Sequence, residues 1–121
     1  MIKGIGIDLI EIDRIKKLAE RQLRFPDRVL TPVEKDMYLN LPERRRVEFL
    51  AGRFAAKEAF SKANGTGIGE ILSFHDIEIG KDSNGKPFFL KPDGVRAHLS
   101  ISHTKQYATA QVIIEENNLE H

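Results

Sequence analysis

The chain of 121 residues has no cysteine, no tryptophan and only two tyrosines. It also has no apolar run long enough to span a bilayer. Without cysteine there is no disulfide frame, no thiol nucleophile and no cysteine-ligated zinc site. The N-terminus lacks the basic and apolar regions of a secretory signal. A dominant charge is missing too: 19 Lys and Arg stand against 18 Asp and Glu, a net +1 that argues against bulk nucleic-acid coating. These absences predict one soluble, cytoplasmic domain with a single core over residues 1–118. Leu119-Glu120-His121 reads as a purification-tag remnant and is set aside.

The charge that is present is concentrated. Between Ile12 and Leu30 lie six basic residues and three acidic ones, so this segment is +3 and the rest of the chain is −2. Arg14, Arg21, Arg24 and Arg28 step by three, four or seven, as on one side of a helix, although Pro26 argues against an unbroken helix to Arg28. The stripe is either a solvated face or a docking surface for an acidic partner.

The pattern predicts α+β: helices early, strands late. Ile2 to Ile10 is β-branched and reads as a strand, followed by a helix from about Ile12 to Leu23. Thr31-Pro32-Val33-Glu34 has the form of a capping box with proline at the first helical position, opening a helix that ends near Asn40. Pro42 opens a long helix that Asn64-Gly65 closes. Phe74 to Ile79 is expected to be a strand, with a turn at Asp82 to Gly85 and a return strand from Pro87 to Leu90. Strands are expected again at Ala97 to Ser102 and Ala108 to Ile114, joined by His103 to Tyr107.

Two carboxylates draw attention. On the long helix, Val47, Leu50, Ala51, Phe54 and Ala55 recur at helical spacing, and Glu58 falls on the same row. A carboxylate there loses hydration and needs compensation, which a plain Glu58–Lys62 pair four residues apart would also give. On the first strand, Gly4, Gly6 and Asp8 share one face. The two glycines are read as a bare floor for a ligand beside Asp8, with tight packing as the alternative. The loop Gly65-Thr66-Gly67-Ile68-Gly69 is not a Walker loop, because no Gly-Lys-Ser/Thr follows.

Taken together, Gly4-Ile5-Gly6-Ile7-Asp8, the run Phe54-Ala55-Ala56-Lys57-Glu58-Ala59-Phe60-Ser61-Lys62-Ala63, and His98-Leu99-Ser100-Ile101-Ser102-His103-Thr104 resemble the 4'-phosphopantetheinyl transferase family. The match is to its small holo-acyl-carrier-protein synthase type and runs from Ile2 to about Glu115. The resemblance implies transfer of the 4'-phosphopantetheine arm of coenzyme A to a serine of apo acyl carrier protein, as in lipid biosynthesis, with release of adenosine 3',5'-bisphosphate. It implies Mg²⁺ on Asp8 and Glu58, with Lys62, His103 and Thr104 at coenzyme A and the Asn84-to-Pro87 turn, Gly85 and Pro87 included, nearby. Glu58 and Lys62 are the implied catalytic pair. It also implies a homotrimer with active sites between subunits.

The residues suit that chemistry. Mg²⁺ is usually held by one or two carboxylates plus phosphates and water, and phosphoryl-type transfer relies on positioning and charge neutralisation. Arg45 and Arg53 are expected to face the 3'-phosphate, a basic helix surface being the other reading. The general base is left open between a metal-bound water, Glu58 acting through water, and Asp36. A small RNA-binding module using the Arg14–Arg28 stripe and Arg44 to Arg46 is the competing class, weakened by the lack of an aromatic stacking platform.

Overall fold

The computed structural model describes residues 1–117; the expected tag remnant lies outside the described residues. The order is β1 (Ile2–Glu11), α1 (Ile12–Arg21), α2 (Phe25–Val29), α3 (Pro32–Leu39), α4 (Glu43–Asn64), a 3₁₀ turn (Phe74–Asp76), β2 (Glu78–Lys81), β3 (Pro87–Lys91), β4 (Arg96–His103) and β5 (Tyr107–Glu115). The α+β expectation holds. β1, β5 and β4 form an antiparallel sheet in that order, while β2 and β3 form a separate hairpin.

Local signals account for most boundaries. Thr31 accepts from Glu34 N, and Glu34 Oε1 accepts from Thr31 N, so the capping box is complete. Gly65 ends α4 at φ 84°, in the left-handed region. Asp82 Oδ1 accepts from the amides of Asn84 and Lys86 and fixes the hairpin turn. Pro26 sits in the first turn of a separate helix, so the basic stripe is divided between α1 and the α2 region.

The expected strand from Phe74 to Ile79 is not formed as such. Ser73 and Asp76 make a second capping box that turns Phe74–Asp76 into a 3₁₀ turn, and the strand starts at Glu78. Local side-chain bonds to the backbone outcompete the ladder there.

α4 packs across the sheet, chiefly on β1 and β5. Gly4 and Gly6 make this possible. A Cβ built on Gly4 would lie 1.9 Å from the Ala63 carbonyl oxygen, and one on Gly6 would lie 1.9 Å from that of Ala59. The glycines therefore seat a helix backbone, and the ligand-floor reading is corrected. The apolar row on α4 also proves a poor guide. From Leu50 to Ala63 every residue is buried except Phe54, Glu58 and Lys62. These three lie four residues apart and form the one open stripe, so Glu58 faces outward from the core. A helix enclosed on nearly all sides carries no amphipathic signal to mark its open side.

The opposite face of the sheet is uncovered in the single chain. Ile5, Ile7 and Leu9 are 58%, 60% and 65% exposed.

Candidate active site

Asp8 and Glu58 come together where β1 crosses α4. Lys62 does not pair with Glu58 across one helical turn. Its Nζ donates to Asp8 Oδ1 at 3.1 Å and to the Ile7 carbonyl at 3.0 Å. Burial chiefly, and then the charge of Asp8, push the Glu58 carboxyl above its ordinary value of 4.5, while Lys62 opposes the rise. Two carboxylates that repel one another, with one lysine between two elements, suit a divalent cation. Among the described residues no group of three or more His, Cys, Asp or Glu is placed to hold a metal ion. The donor set still fits Mg²⁺, which commonly takes one or two carboxylates and completes its shell with phosphate and water oxygens.

A second group lies apart from the first. Arg45, Arg53, Pro87 and His103 line one cleft, together with Glu48, Phe49 and Lys81. Asp8, Glu58 and Lys62 do not line it. Arg53 is only 4% exposed and lies over the Phe49 ring at 4.3 Å. Its Nε and one terminal nitrogen are buried with no hydrogen-bond partner. Such donors are costly to leave unpaired, and the residue that carries them lines a cleft whose other cations suit an anion. Burial lowers the Arg53 pKa, and the charge of Glu34 acts in the opposite direction. His103 Nε2 lies 3.7 Å from a Glu48 carboxylate oxygen.

The remaining expected ligands are dispersed. Thr104 accepts from the amides of Gln106 and Tyr107 and so shapes the β4–β5 turn; it lines a shallow pocket with Leu9 and His103. Gly85 is at the hairpin tip, with φ 80° and open space around a built Cβ. Arg14 and Arg21 line a groove on α1 with Lys17. Arg24 and Arg28 line a different depression, with Ile68, Gly69 and His75. Asp36 is exposed on α3.

Sequence reasoning missed the polar node beneath the site. Lys57 Nζ donates to Glu34 Oε1 and to the Val29 carbonyl, each at 2.6 Å, and to the Phe74 carbonyl at 3.1 Å. Glu34 Oε2 accepts from Ile79 N at 2.9 Å. Burial is the main influence on Lys57 and lowers its pKa against the pull of Glu34. The node ties the end of α2, the start of the 3₁₀ turn, the first turn of α3 and strand β2 to the residue preceding Glu58. Glu34 was legible only as half of a capping box, and Lys57 only as part of a motif.

Residues 4–112 match the model of the 4'-phosphopantetheinyl transferase superfamily, and the chain belongs to that family. Among its relatives, the holo-[acyl-carrier-protein] synthase of Bacillus subtilis strain 168 is 61% identical over 117 residues, covering 95% of this chain and 97% of that one. The corresponding synthase of Bacillus pumilus is 60% identical with the same coverage. A crystal structure of a holo-(acyl-carrier-protein) synthase from Bacillus anthracis in complex with CoA (3',5'-ADP) superposes with a TM-score of 0.90 at 50% identity, covering 97% of this chain and 99% of that one. The Helicobacter pylori synthase in complex with coenzyme A gives 0.82 at 35% identity, covering 92% and 99%. No helix among the described residues is long and apolar enough to cross a membrane.

Proposed function

We propose that this protein is a holo-acyl-carrier-protein synthase. It transfers the 4'-phosphopantetheine arm of coenzyme A to a serine of apo acyl carrier protein. The serine oxygen bonds to the phosphorus that carries the pantetheine arm. The bond from that phosphorus to the bridging oxygen breaks, and adenosine 3',5'-bisphosphate leaves. The serine proton passes to solvent water, and the negative charge of the broken bond stays on the departing bisphosphate. The observation that carries this reading is Arg53: a buried guanidinium with unpartnered donors in a cleft shared with Arg45 and His103. This is a site for the phosphate of a nucleotide, and the CoA complexes of the relatives supply its chemical class.

Asp8 and Glu58 would hold Mg²⁺, which when bound supplies charge neutralisation at the pyrophosphate. Lys62, anchored on the Ile7 carbonyl, would place its ammonium beside the charge that develops on the leaving bisphosphate. Arg45, Arg53 and His103 would fix the adenosine end, with Pro87 as a wall of the cleft. Thr104 and Gly85 would act through the turns they hold.

Separation of the cleft from the carboxylates supports a trimer in which the two halves meet between subunits. The open sheet face with Ile5, Ile7 and Leu9 supports the same reading. This apolar surface lies on the first strand. Arg14, Arg21, Arg24 and Arg28 would dock an acidic carrier protein. Arg46 of the competing RNA-binding stripe is partly engaged within the chain, since it donates to the carbonyls of Leu39 and Leu41.

The test is mass spectrometry of apo carrier protein incubated with this protein, coenzyme A and Mg²⁺. A gain of one phosphopantetheine, absent when the acceptor serine is alanine, supports the reading; an unchanged mass refutes it.

A further inference from the structure

Besides Arg45, Arg53 and His103, the cleft is lined by a further cation, Lys81. Lys81 ends β2 and pairs in register with Pro87 at the start of β3, which puts its side chain on the cleft opposite α4. Arg45 and Arg53 approach from α4, and His103 from the end of β4. Among the described residues Glu48 is the one acidic side chain lining the cleft, and it already faces His103. Three permanent cations therefore surround a space with one carboxylate to balance them. Burial first, and then the charges of Arg53 and Arg45, lower the Lys81 pKa, so the three lie within electrostatic reach of one another.

An excess of two positive charges suits a dianion. A phosphodiester or one end of a pyrophosphate carries a single charge on each phosphate, whereas a phosphomonoester carries close to two near pH 7. Arg53 is fixed by burial and by Phe49, so it sets a rigid cation in the cleft wall. Lys81 is exposed, on a flexible stem, and acts as a point charge rather than a planar fork.

We propose that Lys81 is a specificity-determining residue that makes the cleft select nucleotides bearing a terminal phosphomonoester over those lacking it. In coenzyme A that group is the 3'-phosphate, so this proposal rests on the transferase reading above. Lys81 adds little to recognition of the adenosine, the pyrophosphate or the pantetheine arm. It separates coenzyme A from 3'-dephospho-coenzyme A.

The experiment is calorimetric titration of both compounds into the wild-type protein and Lys81→Met, which keeps most of the aliphatic stem. No carrier protein is present, so binding is read without turnover. Loss of one charge-assisted contact predicts coenzyme A affinity roughly tenfold lower in Lys81→Met. Affinity for the dephospho compound should change by less than about twofold, within the range of an ordinary surface substitution. The ratio of the two affinities should thus collapse. Equal weakening of both compounds, or an unchanged ratio, overturns the assignment while leaving the transferase reading intact. Failure of the wild-type protein to bind coenzyme A at all overturns both.

Discussion

The carboxylate of Glu58 is raised in pKa by its burial and by Asp8, its neighbour from a strand fifty residues earlier in the chain. The folded protein therefore holds a proton on Glu58 at pH values where the unfolded chain has released it. Stability falls as pH rises from 4.5 through the raised value, because the native state binds more protons than the unfolded state in that window. With chelator present, Glu58→Gln should melt higher than wild type at neutral pH, and the difference should vanish below 4.5. The same variant, like Asp8→Ala, should lose transfer activity. A lower melting temperature for Glu58→Gln at pH 7 would show that the carboxylate is well accommodated without metal.

Lys57→Met should destabilise by about 3–5 kcal/mol, since it leaves the buried Glu34 carboxylate without its counter-ion. Equilibrium urea unfolding measures this. A loss below about 1 kcal/mol would mean that Arg53 takes over the pairing.

Gly6→Ala should lose both stability and activity. The added methyl would meet the Ala59 carbonyl oxygen at 1.9 Å, backbone against strand, so α4 must lift from β1 and carry Glu58 with it. The cost should reach at least ~1–3 kcal/mol. Gly69→Ala, which meets nothing within 4 Å, is the control and should change stability by less than about 0.5 kcal/mol.

Shared sites predict complementation. Asp8→Ala disables the carboxylate half, and a variant carrying Arg45→Ala with Arg53→Gln disables the cleft half. Each should be inactive alone. Co-expression should recover activity in mixed oligomers, because some interfaces then unite two intact halves. Failure to recover, with mixed oligomers shown by mass spectrometry, would place both halves in one subunit.

Reversal of Arg14 and Arg21 to Glu should raise the apparent KM for carrier protein and leave coenzyme A affinity nearly unchanged. It should also flatten the salt dependence of kcat/KM, since steering by exposed charges is screened beyond ~8 Å at physiological ionic strength. Unaltered carrier kinetics at low salt would make this groove an ordinary solvated surface.

Much of the fold was legible because punctuation is local. The Thr31 capping box, Gly65 and the Asp82–Gly85 turn act within a few residues and can be read in order. Ser73 and Asp76 act over the same short range, yet Phe74 to Ile79 reads in the sequence as one strand, and the box is seen only in the structure. Glu58 was selected for the wrong geometric reason: its apparent apolar row marks enclosure, and its open stripe appears only when the neighbours are in place. Lys81 carried no signal, because its role depends on cations from α4 that the chain sequence places 28 and 36 positions away.

The sheet order has a consequence for synthesis. β1 is made before the other described elements, yet its partner in the sheet is β5, the last of the described strands. Asp8 can be in place beside α4 only while β1 lies exposed along one edge, its amides and carbonyls solvated, until residues near Glu115 arrive to pair with Ile2. Non-local pairing of this kind is slow and leaves an unpaired edge in the meantime. A nascent chain stalled before β5 would thus carry every residue of the candidate site and still be a substrate for chaperones rather than an enzyme.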